Sequence, residues 1–324
     1  MWKNKPCVVI GRHQNPWLEC NISKAIGMSV DVVRRGSGGG TVYHDEGNLN
    51  CSFIMDKCRY DRHRNLQFVI DAIKSRWDID LEINERDDII LDQLYKVSGT
   101  ASRLTRTKTY HHFTLLYRTD TEKLHKLLTS PFGTGVDSKA TKSVSSQVRN
   151  MSDYATEMDF NCLVQVIGQH FHRAGLDQEI DQQKLGEIRF VEPTDSKMFP
   201  GLNKIQSTLE DWEWIYGKTP KFWLKKNYCK VLDGTQVTVT IATEINKGRI
   251  NQLNITYPST NHSDEMDSIL TYIREAFIGQ RFWIAELEVL MHNLKQHETI
   301  GNHGNNALFN WILCCLKDTL HINV

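Results

Sequence analysis

The chain has 324 residues, 40% of them apolar, and its 39 Lys and Arg balance 39 Asp and Glu. That length exceeds the size at which one core stops growing, so two domains are expected, and the zero net charge argues against a strongly basic nucleic-acid binder. Eight cysteines occur without a Cys-x-x-Cys pair, which excludes the zinc-ribbon and redox-dithiol signatures, and no apolar run approaches the roughly eighteen residues of a membrane span.

The opening Met-Trp-Lys-Asn-Lys-Pro does not read as a signal or transit peptide. Cys7–Ile10 reads as a buried strand ending at Gly11, and Asn15-Pro16-Trp17 starts a helical turn with Pro placed early. A second strand over residues 30–33 delivers the chain to Arg34-Arg35-Gly36-Ser37-Gly38-Gly39-Gly40-Thr41-Val42-Tyr43-His44-Asp45-Glu46-Gly47-Asn48-Leu49-Asn50. Paired guanidinium groups fit phosphate or carboxylate, and glycines let a ligand reach backbone N–H groups, so an anion wrapped by backbone is the first expectation. The spacing matches neither the Gly-x-x-x-x-Gly-Lys-Ser/Thr loop nor the dinucleotide fingerprint.

Strands follow at 41–43 and 49–55, with a turn at 45–48. Leu66, Val69, Ile70, Ile73 and Trp77 recur at helical spacing and predict an amphipathic helix over 65–77 that covers a sheet. Further strands are expected at Leu81–Ile83, Ile89–Leu91, 95–98 and 113–117, then helices near 120–129 and 161–174. Adjacent His111 and His112 on a strand face opposite ways and cannot chelate one ion, so no metal site is expected. Gly217 and Pro220 break the pattern, and strands over 222–231, 236–244 and 249–256 follow, joined at Asp233-Gly234 and Lys247-Gly248 hairpin signals. Helices near 264–278, 283–295 and 305–320 close the chain, with Cys314 and Cys315 expected as buried small hydrophobes and Trp212 and Trp214 as packing groups at the domain junction.

The segments Val8-Val9-Ile10-Gly11-Arg12-His13-Gln14-Asn15-Pro16-Trp17-Leu18-Glu19-Cys20-Asn21, then residues 34–45, then Lys96-Val97-Ser98-Gly99-Thr100-Ala101, together resemble the lipoate–protein ligase and lipoyltransferase family. Asp211-Trp212-Glu213-Trp214-Ile215-Tyr216-Gly217-Lys218-Thr219-Pro220-Lys221-Phe222 is similar to the animal mitochondrial branch of that family, as are Pro193-Thr194-Asp195 and Phe199-Pro200-Gly201. The resemblance implies an α+β fold, with a mixed-sheet catalytic domain of the biotin/lipoate ligase type over residues 1–217 and a smaller α+β C-terminal domain over 218–324. It also implies a strand and a helix ahead of the segment matching Met1-Trp2-Lys3-Asn4, so an N-terminal element is expected to be missing.

The implied reaction moves a lipoyl group from lipoyl-AMP, or another activated or carrier-bound donor, to a lysine on lipoyl domains of 2-oxoacid dehydrogenase acyltransferase subunits. The glycine-cleavage H protein is a second implied partner, the location is mitochondrial, and a monomer acting on neither nucleic acid nor membrane is expected. Lys96 matches the family lysine that contacts the lipoyl carbonyl and the phosphate. Arg35, Gly40, Thr41, Val42 and Tyr43 match residues lining the adenylate, and Arg35 with the amides of Gly38, Gly39, Gly40, Thr41 and Val42 forms the anion cradle read from the residues themselves. Arg86 and Asp88 sit where the family places polar ligand-side residues, and Thr114 and Thr141 match adenylate contacts. His44, Asp45 and Ser143 are further candidates, with Asp45 or Asp88 as the base for an acceptor lysine that is otherwise protonated at neutral pH. Phe113 replaces a small residue of the family and is expected to narrow the pocket, and the 92–95 loop lacks the glycine found before the lysine motif. An ATP- and Mg²⁺-dependent ligase remains the alternative within the class, and a non-catalytic binder of lipoyl-AMP or carrier domains the alternative outside it.

Overall fold

The computed structural model describes residues 1–133, 135–176, 188–232, 234–257, 264–296 and 307–322. Asp233 of the expected hairpin and residues 305–306 of the expected last helix lie outside the described residues. Contacts group the chain into two units, Met1–Ser130 with Thr141–Asp211, and Pro131–Ala140 with Trp212–Val324.

In the first unit, β1 (Cys7–Ile10) lies parallel to β2 (Asp31–Arg34) and antiparallel to β3 (Val42–His44), a small mixed sheet in the order β2-β1-β3. Two short helices separate β1 from β2. In α1 (Pro16–Glu19) the Asn15 side chain accepts from the Trp17 N–H, and in α2 (Ile22–Gly27) Asn21 does the same for Lys24, each satisfying an N–H that a helix start leaves free. A second sheet runs β4-β9-β8, formed by β4 (Asn48–Asp56), β8 (Thr100–Leu104) and β9 (Lys108–Leu116), with Asn50 opposite Thr114 and Thr100 opposite Phe113. The third is a meander of β5 (Leu81–Ile83), β6 (Ile89–Leu91) and β7 (Tyr95–Lys96).

The amphipathic helix expected over 65–77 is α3 (Arg62–Lys74), capped by Asp61. Leu66, Val69, Ile70 and Ile73 are fully buried against Leu49, Cys51, Phe113, Leu115, Leu81, Ile89 and Val97, each large side chain contributing about 1.5–3 kcal/mol. That core decides the faces of the second sheet. Leu49, Cys51, Phe113 and Leu115 point into it, so Asn48, Asn50 and Thr114 point to the opposite side. Phe113 therefore fills the helix-side core and does not narrow a pocket on the far face. The unit is completed by α4 (Thr121–Leu127), α5 (Phe160–Leu176) and α6 (Leu202–Glu210).

In the second unit, β10 (Val136–Ser138), β11 (Phe222–Leu232), β12 (Thr235–Asn246) and β13 (Arg249–Thr256) form an antiparallel sheet in chain order. Val136 pairs with Leu224, which is why the 131–140 segment groups with the second unit. The expected Lys247-Gly248 turn is present, with both residues left-handed at φ 51° and 71°. Trp212 and Trp214 stand on a helical turn, α7 (Trp212–Ile215), and Arg281 and Arg249 lie 4.6 and 5.5 Å from the Trp212 ring. Helices α8 (Asp264–Phe277), α9 (Ile284–Gln296) and α10 (Ala307–Leu320) follow. On α10 Cys315 is buried as expected, whereas Cys314 is exposed, because residues one apart on a helix fall on different faces. Among the described residues no helix is long and apolar enough to cross a membrane.

Candidate functional site

The two arginines that end β2 take different tasks. Arg34 is buried, and its Nη1 donates to the carbonyls of Gly11, Arg12 and Gln14 at 3.0, 3.0 and 2.9 Å, which folds the 11–14 loop around it. Arg35 curls the glycine loop onto itself. Its Nη2 donates to the carbonyls of Gly38 and Gly40, both at 2.6 Å, and its Nη1 to that of Val9 at 3.1 Å. Burial lowers its pKa to about 10, which leaves it a cation at neutral pH. With those carbonyls turned to Arg35, the N–H groups of Gly38, Gly39 and Gly40 have no hydrogen-bond partner among the described residues. Three such amides in a row beside a buried cation have the makeup of an anion nest.

The curl requires glycine. Gly39 sits at φ 83°, and a Cβ there would lie 3.1 Å from Arg35 Nη2 and 3.3 Å from Ala101 Cβ. At Gly11 a Cβ would lie 2.0 Å from the Gly39 carbonyl oxygen. The glycine loop thus abuts Thr100 and Ala101 of β8.

A half-buried polar joint fastens the exit of that loop. The Ser143 hydroxyl accepts from the Thr41 N–H at 2.9 Å and from Gln14 Nε2 at 3.0 Å, and donates to the Glu19 carboxylate. The Ser143 N–H also donates to Glu19, and Gln14 Oε1 accepts from Thr41 Oγ1 at 2.7 Å and from the Gly11 N–H at 3.0 Å. Burial raises the Glu19 pKa, with the bonds from Ser143 opposing it. Thr141 is tied in through backbone only, its N–H donating to the His13 carbonyl at 3.3 Å.

Lys96 stands on β7, paired with Ile90 of β6 on one side and bridged to Val148 on the other. Its Nζ lies 2.8 Å from Asp88 Oδ1. Asp88 is 5% exposed, and the N–H of Asp88 and that of Arg86 both donate to Asn84 Oδ1, so the turn that carries it is fixed. The Arg86 guanidinium lies 3.8 Å from the other Asp88 oxygen. Three residues beyond Lys96, the Gly99 N–H donates to Thr114 Oγ1 at 2.8 Å. A Cβ on Gly99 would lie 3.3 Å from Val42 Cγ1 and 3.5 Å from Thr114 Oγ1, so Val42 and Thr114 meet over that glycine.

A scan against family models matches residues 1–172 to the lipoyl protein ligase A/B catalytic domain. The chain is 37% identical over 314 residues to the mitochondrial lipoyl amidotransferase LIPT1 of Homo sapiens, covering 97% of this chain and 81% of that protein. The chain belongs to the lipoyl protein ligase A/B catalytic-domain family. It is also 31% identical over 283 residues to a putative lipoate-protein ligase A of Schizosaccharomyces pombe, covering 83% of this chain and 75% of that one. In fold it is similar to LipL1 of P. falciparum in complex with lipoate, at a TM-score of 0.57 and 23% identity, over 97% of this chain and 85% of that one. The resemblance read from the sequence and the α+β fold of lipoate-ligase type both stand.

Within this family member the expected site residues separate by geometry. Arg35, Gly38, Gly39, Gly40, Thr41 and Ser143 form one connected assembly, and Val42 and Thr114 meet beside it. Lys96, Asp88 and Arg86 form a second cluster, joined to the first through the chain from Lys96 to Ala101. Tyr43 is not brought in by its side chain. Alternation turns it away from Val42 and it is buried, so only its backbone belongs to the loop. Asp45 is committed to its own turn, accepting from the Gly47 and Asp120 N–H groups at 2.9 Å each.

His44 shares the Val42 face. Burial, with Arg35 and His112 nearby, lowers its pKa to about 3, and its Nδ1 lies 2.8 Å from Asn4 Nδ2 while Nε2 has no partner among the described residues. Both amide atoms of buried Asn48 are also without a partner among the described residues. Gln14, Glu19 and Asn48 were not singled out from sequence as site residues. Gln14 and Glu19 lie inside the family-like segment, and a Glu buried in a helical turn beside Trp17 was the available signal. Among the described residues no group of three or more His, Cys, Asp or Glu is placed to hold a metal ion.

Proposed function

We propose that this chain is a lipoyltransferase that passes a lipoyl group from lipoyl-AMP to the acceptor lysine of lipoyl domains. The observation that carries the reading is the anion nest of Gly38–Gly40 amides over the Arg35 cation, packed on β8 just downstream of the Lys96–Asp88 ion pair. An acyl phosphate needs its phosphate charge held, and it needs a cation where the carbonyl oxygen turns negative on attack. The nest and Arg35 supply the first, and Lys96 supplies the second. Asp88, 2.8 Å from its Nζ, aims Lys96. The acceptor amine, as free base, attacks the acyl carbon, a C–N bond forms, the acyl C–O bond to AMP breaks, AMP leaves as the anion, and the proton shed by the attacking nitrogen passes to solvent water.

The first compact unit is the catalytic domain, since every residue named for the reaction falls within it. The relative in Homo sapiens is named mitochondrial, and the same location is proposed here, with 2-oxoacid dehydrogenase acyltransferase subunits and glycine-cleavage H protein as carriers. The putative ligase name of the Schizosaccharomyces pombe relative favours a second reading, an ATP- and Mg²⁺-dependent enzyme that also activates free lipoate. Incubation of the protein and a lipoyl domain with lipoyl-AMP, or with lipoate, ATP and Mg²⁺, separates the two. Lipoylation from lipoyl-AMP alone supports the transferase, efficient lipoylation from free lipoate supports the ligase, and none from either defeats both.

A further inference from the structure

Between the Ser143 joint and Lys96 runs a stretch outside any named strand whose backbone is unpaired over residues 144–146. Its near end is pinned by Ser143 to Thr41 and Glu19, and its far end by the Lys96 N–H donating to the Gln147 carbonyl at 2.8 Å and the Val148 bridge to Lys96. The backbone N–H and C=O groups of Val144, Ser145 and Ser146 have no hydrogen-bond partner among the described residues, and Val144 is 62% exposed. An open groove of about 480 Å³ lies along this stretch, lined by Tyr95, His125, Ser145, Ser146, Gln147 and Val148. It therefore borders the residues that pair directly with Lys96. Exposed Lys142 and Arg149 stand at the two ends, with Arg149 stacked 3.9 Å over the Tyr95 ring.

We propose that the 144–147 edge and its groove receive the acceptor: an extended, acidic segment of the carrier domain flanking its lysine, which adds its backbone to the edge and delivers the amine beside Lys96. This rests on the lipoyltransferase reading above. Unpaired backbone on an exposed stretch is a template for a further strand, main-chain hydrogen bonds giving affinity and the groove giving selectivity. An edge tied at one end to the glycine loop and at the other to Lys96 spans both clusters, which is where the acceptor amine must arrive. The Lys142 and Arg149 charges favour an acidic flank and a salt-sensitive association.

The test uses the full chain with a recombinant lipoyl domain, and compares Ser146→Pro, which removes one edge N–H, and Ser145→Trp, which fills the groove. Hydroxylamine serves as a small acceptor that needs no docking. The expected result is a KM for the lipoyl domain raised about tenfold in both variants, with hydroxylamine-dependent turnover of lipoyl-AMP within about twofold of the parent. Amide hydrogen exchange of residues 144–147 should also slow when the lipoyl domain is added, and less so in Ser146→Pro. An unchanged KM in both variants overturns the proposal. An equal fall in hydroxylamine turnover and lipoyl-AMP affinity also overturns it, since the edge then serves the donor. If the parent transfers nothing yet the exchange protection appears, the docking edge stands and the lipoyltransferase reading falls. If the parent transfers but residues 144–147 gain no protection, the reverse holds.

Discussion

Replacing Ser143 with Ala tests whether the joint holds the glycine loop. The hydroxyl makes three half-buried hydrogen bonds, to the Glu19 carboxylate, the Thr41 N–H and Gln14 Nε2. Neutral bonds contribute about 1 kcal/mol each and a bond to a carboxylate about 1.5–3 kcal/mol, so complete loss without water entering would cost roughly 3–5 kcal/mol. Residue 143 borders solvent, water takes over part of the loss, and the expected cost is about 2–3 kcal/mol. For a unit of this size that lowers Tm by roughly 4–10 °C. Lipoyl-AMP affinity should weaken about tenfold, because the Thr41 end of the loop is no longer fixed, and Ser143→Thr should restore most of both.

The same variant carries a pH signature. Burial already raises the Glu19 pKa, and Ser143 opposes that rise. A carboxyl whose folded pKa exceeds its unfolded value binds its proton more tightly when native, so its stabilising contribution is full below the unfolded pKa and lost as pH rises through the folded pKa. Ser143→Ala raises the folded value further, so its deficit is larger at pH 8 than at pH 4. A calorimetric Tm within about 1 °C of the parent at both pH values, together with unchanged lipoyl-AMP affinity, would refute the joint.

Four further outcomes follow from the geometry. Asp88→Asn removes the partner that aims Lys96, 2.8 Å away, and should lower transfer kcat about tenfold or more with less effect on carrier KM; an unchanged kcat contradicts the aiming role. Gln93 holds a left-handed backbone at φ 57° next to Asp92 at φ 51°, so Gln93→Gly should stabilise the hairpin leading to Lys96 by about 0.5–1 kcal/mol, read as a higher urea midpoint. Burial lowers His44 to about 3 and His111 and His112 to about 4. A depressed histidine contributes stability above its unfolded pKa that is lost as pH falls toward the folded value, so these three should take up protons on unfolding near pH 5, with a combined slope of up to about 4 kcal/mol per pH unit below about 6.5. Uptake below one proton in pH-dependent urea unfolding would contradict that. Finally, Gly39→Ala should weaken lipoyl-AMP binding, because φ 83° and the 3.1 Å approach to Arg35 both oppose a side chain there; calorimetric titration of lipoyl-AMP into the variant checks it.

What was legible in the sequence is what local spacing encodes. The buried strand Cys7–Ile10 and the short strand Ile89–Leu91 read directly as apolar runs, Leu81–Ile83 as an apolar–polar–apolar alternation, and α3 declared itself through Leu66, Val69, Ile70 and Ile73. β8 and the first half of β9 did not, because their polar residues are satisfied across the sheet: buried His111 bonds Thr100 Oγ1 and Asn65. β10 is three residues long and is defined by its pairing with Phe222–Leu224 of β11, a pairing no local pattern contains. The site divides the same way. The glycine loop and Lys96 were visible as motifs, whereas the joint between Glu19 and Ser143 spans 124 positions. Asp45, open as a base from sequence, is used by its turn, and Phe113 turns away from the side where a pocket was expected.

The most direct test of the account is intact mass spectrometry of a lipoyl domain incubated with synthetic lipoyl-AMP and either the parent protein or Lys96→Ala. The account requires one lipoyl amide on the acceptor lysine with the parent and none above the enzyme-free background with Lys96→Ala, while the variant keeps its fold. Equal lipoylation by both proteins would contradict it.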